Sequence, residues 1–215
     1  MTALNFILAE QYLFLVSDTL SLTNDKDSFK YVTKILMLPH LKGVICGTGS
    51  FDLILKWYET IQKKIIGRDI DILRNYSSDE LEKIYFDELK AKDDHNSTIY
   101  HFGYIPGKEK FEGYVYRSKN GFAEEKLDYG LGLKPFGNEI AGYARQQIED
   151  NLVDGLINIM CKQKELDEAQ EKEEQVGIGG SIHLLEFTKT HQKLSEIYQF
   201  PDYEKKFYEM LDRQE

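Results

Sequence analysis

The chain has 215 residues, of which 41% are hydrophobic and 13% aromatic, enough to bury the core of one globular domain spanning 1–215. A formal net charge of −10 argues against a nucleic-acid surface, which needs clustered Lys and Arg. Its two cysteines, Cys46 and Cys161, give no disulfide framework and fit buried thiols in a reducing compartment. No apolar run approaches the roughly 18 residues that span a bilayer. The first apolar stretch lacks a basic region and is broken by Glu10, Gln11 and Asp18, so the reading is no signal peptide, no membrane and a cytoplasmic protein. In that setting the sequon match Asn96-Ser-Thr98 is a chance one.

In chain order, Leu4, Phe6 and Leu8 alternate with Ala3, Asn5 and Ile7, and Tyr12 to Val16 is nearly all apolar; together they predict an antiparallel hairpin. The polar stretch from Leu20 to Phe29 reads as a loop. A second hairpin is expected from Tyr31 to Leu38 and Gly43 to Thr48, around a turn at Pro39 to Lys42. The period then changes: Phe51, Ile54, Leu55, Tyr58, Ile61 and Ile65 mark one face of a helix ending near Gly67. Ser77 and Glu80 form a capping-box pattern that would open a second helix running through Leu81, Ile84, Tyr85 and Leu89.

Two strands follow, Thr98 to Ile105 and Phe111 to Arg117, with a turn at Pro106-Gly107. A glycine-rich passage from Tyr129 to Gly137 leads to a helical stretch from about Ile140 to Glu173, broken near Asp150. The charge run from Gln163 to Gln175 reads as a solvated helix end. Gln175 to Thr188 predicts a last pair of short strands, and Tyr203 to Leu211 a terminal helix. The order gives an α+β layered architecture whose sheets can be covered by helices. His40, His101 and His183 have no ligand-like spacing and read as structural or exposed side chains, with no metal and no cofactor expected.

Three polar groups fall at an even interval near strand ends: Asp18 is sixteen residues after Thr2, and Lys34 sixteen after Asp18. Gly47-Thr-Gly-Ser-Phe-Asp52 is a small-residue turn into the first helix. These residues resemble the proteasome β-subunit branch of the N-terminal-nucleophile (Ntn) hydrolases, with its bacterial relatives HslV and Anbu. That family has a Thr, an Asp and a Lys at these spacings and a similar turn closing with Asp. Gly180-Ser-Ile-His-Leu-Leu185 is similar to the last-strand motif of the Anbu-type relatives. The resemblance is specific over about the first quarter of the chain and architectural beyond it.

It implies a four-layer αββα sandwich of two antiparallel sheets covered by helices. It also implies a threonine-type peptidase or amidohydrolase cleaving peptide or protein substrates inside a self-assembled ring, with any ATPase partner left open. Thr2, exposed by removal of Met1, would be the nucleophile, and its own α-amine, with a pKa of about 7.7–8.0 in model peptides, would be the base. Lys34 would keep that amine unprotonated, Asp18 would hold Lys34, and the Gly49 N–H at the helix start would bind the oxyanion. Trp57, Tyr58, Tyr85 and Tyr143 would leave aromatic surface for subunit contacts. The alternative is a catalytically inactive scaffold subunit, as the proteasome α-subunits are. The family's Gly-Ser-Gly turn has only Gly130-Leu131-Gly132 as its nearest counterpart here, and its later Asp and Ser have no matching motif.

Overall fold

The structure, a computed structural model, describes residues 2–22, 29–88 and 96–212. Met1, the polar run 23–27 and Leu89 lie outside the described residues, so their predicted roles do too. The first hairpin forms as its alternation dictates: β1 (Leu4–Leu8) pairs antiparallel with β2 (Tyr12–Asp18), Leu4 opposite Ser17. The expected loop instead supplies β3 (Leu20–Leu22), which pairs with β4 (Phe29–Tyr31) in a two-stranded ribbon. The second hairpin is shorter than predicted, because residues 32–35 are irregular and only β5 (Leu36–Leu38) pairs with β6 (Gly43–Thr48).

Helix α1 (Phe51–Lys64) starts where Ser50 Oγ accepts the Leu53 N–H, and it buries Leu53, Ile54, Trp57 and Ile61. Each such buried side chain contributes about 1.5–3 kcal/mol. Helix α2 (Ile70–Lys83) opens earlier than the capping-box pattern suggests, at Asp69, whose carboxylate accepts the N–H groups of Asp71 and Ile72. Ser77 is therefore interior to the helix, and its hydroxyl donates to the Leu73 carbonyl at 2.9 Å.

The paired strands β7 (Thr98–Ile105) and β8 (Lys110–Arg117) follow as predicted, and β9 (Glu124–Lys126) extends that sheet. The glycine-rich passage is a strand: β10 (Gly130–Lys134) pairs with β1, Lys134 opposite Leu4. Helices α3 (Gly137–Asp150) and α4 (Leu152–Glu168) confirm the break, with Asn151 capping the second. The last hairpin sits further on than predicted, as β11 (Ser181–Thr188) and β12 (Gln192–Gln199), before α5 (Tyr203–Asp212).

The larger sheets run β10-β1-β2-β11-β12 and β5-β6-β7-β8-β9, and every described pairing is antiparallel. One buried cluster joins the two sheets through Leu4, Leu15 and Leu185 on one side and Val44, Cys46 and Phe102 on the other. A second cluster packs α1 and α2 against β6–β8, and a third packs α4 against β2 and β11 through Val16, Met160 and Leu184. No helix among the described residues is long and apolar enough to cross a membrane.

Two surface expectations are corrected by packing. Gln163, placed in the solvated charge run, is fully buried: its amide and that of Asn5 exchange hydrogen bonds at 2.6 and 3.0 Å. Trp57, counted as contact surface, is fully buried and donates from Nε1 to His101 Nε2 at 2.8 Å, whereas Tyr143 is exposed and Tyr58 and Tyr85 are half-buried. Of the two thiols Cys46 is buried and Cys161 only half-buried.

Candidate active site

The site begins at the end of β2, a central strand between β1 and β11, so its terminal Asp18 is enclosed on both sides and is 0% exposed. A buried carboxylate needs compensation, and it comes from the irregular segment 32–35, anchored by the Val32 N–H on the Thr19 carbonyl at 2.9 Å. From there Lys34, 2% exposed, donates through Nζ to Asp18 Oδ1 at 2.7 Å and to the Leu20 carbonyl at 2.6 Å. The same Oδ1 accepts the Ala3 N–H at 3.0 Å, and Oδ2 accepts the Gly179 N–H at 3.2 Å. The carboxylate is thus satisfied by one ammonium and two amides.

Burial pulls Lys34 below the usual lysine range against the opposing charge of Asp18. Burial likewise pushes Asp18 up, resisted by Lys34 and by the amides of Gly179 and Ala3. Thr2, 7% exposed, stands immediately before Ala3, so the Thr2–Ala3 peptide lies against the ion pair through the oxygen it shares with Lys34.

Gly49 lies between β6 and α1 with φ +95, a conformation for which glycine is favoured. A Cβ there would stand 2.7 Å from the Asn96 carbonyl oxygen and from Ser97 Oγ. Residues near three candidates share one core cluster: Leu4, two after Thr2; Ile35, next to Lys34; and Cys46, three before Gly49. The structure therefore joins Asp18 to Lys34 directly, sets Thr2 beside them through Ala3, and puts Gly49 against the β7 entry at Ser97 rather than on the ion pair.

Three supports escape sequence reading. Thr19 Oγ1 accepts the Ser181 N–H at 2.8 Å, and the two hydroxyls are 3.4 Å apart. Gly180, at φ +80, has Thr19 and the Tyr31 ring where a Cβ would go, a close approach for which the glycines before β11 are the available sequence signal. Asp167, 3% exposed, accepts the N–H groups of Val176, Gly177 and Ile178, fixing the segment that carries Gly179 to Asp18. No signal in the sequence separates this acid from the charge run around it. Among the described residues there is no group of three side chains suited to a metal. His101 is buried, His183 half-buried and His40 exposed.

No family model matches the sequence, and neither does any curated protein. Solved structures match it by shape. Anbu (ancestral beta-subunit) from Yersinia bercovieri superimposes with a TM-score of 0.60 at 12% identity, over 100% of this chain and 93% of that one. An Anbu mutant from Hyphomicrobium sp. strain MC1 gives 0.59 at 12% identity, over 99% and 94%. A helical assembly of the Anbu complex from Pseudomonas aeruginosa gives 0.63 at 12% identity, over 99% and 96%. At this identity the likeness is one of fold.

Proposed function

We propose that this chain is a threonine-type peptidase or amidohydrolase of the proteasome-like Ntn class, a single domain over 1–215 with helices outside two stacked sheets in four αββα layers. Three buried clusters support the layering, since two of them join helices to the outer faces of the sheets and one joins the sheets. The observation that carries the functional reading is the buried Asp18–Lys34 pair, which shares Asp18 Oδ1 with the Ala3 amide next to Thr2.

With Met1 removed, the Thr2 hydroxyl attacks an amide carbonyl while the Thr2 amine takes its proton. The leaving amine departs with a proton, and water then hydrolyses the ester. The charge of Lys34 keeps the Thr2 amine in its basic form, Asp18 holds Lys34 in place, and the Gly49 N–H steadies the oxyanion.

An always-competent nucleophile calls for enclosure, and we place it in a cytoplasmic self-assembly. The Pseudomonas aeruginosa neighbour is described as a helical assembly. Head-to-tail contacts make a ring when the rotation closes and a helix when it does not, so one interface serves either form. The second reading, an inactive scaffold subunit, is favoured by Gly130-Leu131-Gly132: this stretch is an edge strand packed on Phe6 and brings no hydroxyl to the site. The deciding assay is turnover of fluorogenic peptides by protein whose first residue is Thr2. Turnover that disappears in Thr2→Ala supports the hydrolase; turnover that persists in it removes Thr2 as nucleophile.

A further inference from the structure

A cleft of about 230 Å³ opens where β6 and β8 end and β7 begins, beside the end of β10. Its walls include Thr48, Asn96, Ser97, Arg117, Lys119 and Lys134, and among the described residues no acidic one lines it. In a chain of formal net charge −10 that concentration of cations is against the overall balance. Arg117 pairs with Glu125, which Lys119 also attracts at longer range, and among the described residues neither Lys119 nor Lys134 lies within salt-bridge distance of a carboxylate. A recess lined by one sign of charge concentrates ligands of the other sign.

Two walls of the cleft are tied to residues next to the proposed site. Lys134 is opposite Leu4 across the β10–β1 ladder, and its N–H donates to Asn5 Oδ1 at 3.2 Å. Thr2 is two residues upstream of Leu4, a step of about 7 Å along an extended chain. On the other wall, Ser97 is the residue against which Gly49 is packed, and Ser97 Oγ accepts the Ser50 N–H at 3.1 Å. That wall is braced again by the Ser97 N–H on Ser118 Oγ at 3.0 Å and the Ser118 N–H on the Ser97 carbonyl at 2.9 Å.

We propose that this cleft receives a carboxylate side chain of the bound peptide, so that the protein selects peptides with Asp or Glu close to the bond presented to Thr2. It rests on the hydrolase reading in placing the scissile bond at Thr2, and the binding preference is measurable without turnover. An acidic peptide must overcome the protein's own negative charge to bind, so a preference for it points to local cations. A nucleic acid is the less favoured polyanion, because the cleft's three cations make no extended track along a phosphate backbone.

The test is fluorescence anisotropy of a labelled glutamate-rich peptide and a lysine-rich peptide of equal length, on the full chain and on Lys119→Gln/Lys134→Gln. Both lysines are exposed, so a melting curve like the parent's is expected and certifies the fold. The proposal predicts roughly tenfold tighter binding of the acidic peptide, weakened by salt and lost in the double variant. Equal binding of both peptides, an unchanged preference in the double variant, or stronger binding of a single-stranded oligonucleotide overturns it. Labelling of Thr2 by a reactive peptide, scored in parallel, separates the two claims. Acid preference without labelling supports this inference and sinks the hydrolase, and labelling without acid preference does the reverse.

Discussion

Lys34 Nζ lies 2.7 Å from Asp18 Oδ1 with the two side chains 2% and 0% exposed, so the strand end at Asp18 and the irregular segment at Lys34 are held together by a desolvated ion pair. Each charge is tolerable only because the other is present. Asp18→Asn and Lys34→Met should each cost about 3–5 kcal/mol, by stranding a buried charge. The double variant should lose much less than their sum. Urea unfolding of all four proteins measures the coupling, and additive losses would mean that the pair is not coupled.

The turn into α1 makes a sharper prediction. At φ +95 and with Ser97 and Asn96 packed against it, Gly49→Ala should cost about 1–3 kcal/mol, and peptide turnover should fall with it. Gly107→Ala is the control: nothing lies within 4 Å of its added Cβ, so stability should hardly change. Equal melting temperatures for the two variants would contradict the assigned geometry of Gly49.

Acid sensitivity should come in two steps from two buried groups. Burial lowers His101 from 6.5 to about 3. Its stabilising effect is present above pH 6.5 and declines as pH falls toward 3, with a slope of at most about 1.4 kcal/mol per pH unit for one proton. Glu112 is held at about 2: burial alone would raise it, but hydrogen bonds from Lys126, Tyr114 and Lys108 outweigh that. Its contribution is present above about pH 4.3 and declines toward 2. His101→Phe should remove the decline between pH 6.5 and about 4.5, and below that Glu112→Gln should make the decline shallower, with His101 supplying the rest down to about pH 3. Stability curves of both variants parallel to the parent's would contradict these assignments.

How far the sequence reached depended on whether a pattern was local. Asp18 and Lys34 were legible because their interval put both near strand ends, Asp18 closing β2 and Lys34 just before β5, and the α1 face because its spacing is helical. The edge strand β10 was not, since glycines read as loop; Gly132 is there because the Phe6 ring occupies the space of a Cβ. The start of α2 was misplaced because Asp69 and Ser77 both fit a cap, and the local pattern does not rank them. β12, an edge strand with every residue half-buried or exposed, lacks the alternation that reveals a strand. Gln163 and Asp167 look like members of a charge run until the fold brings Asn5 to one and the 176–178 amides to the other.

Self-association is testable at once. Light scattering at micromolar concentration should give a particle several times heavier than the 25.1 kDa chain. A particle of 25.1 kDa would remove the enclosed chamber and leave an open amidohydrolase or a binding protein.

The central claim is that Thr2 is a nucleophile, and intact-mass spectrometry after treatment with a threonine-directed electrophile tests it most directly. Protein beginning at Thr2 should gain one inhibitor mass, localised to the first residue, while Thr2→Ala should gain none. Absence of an adduct on correctly processed, folded protein, or an equal adduct on Thr2→Ala, would contradict the account.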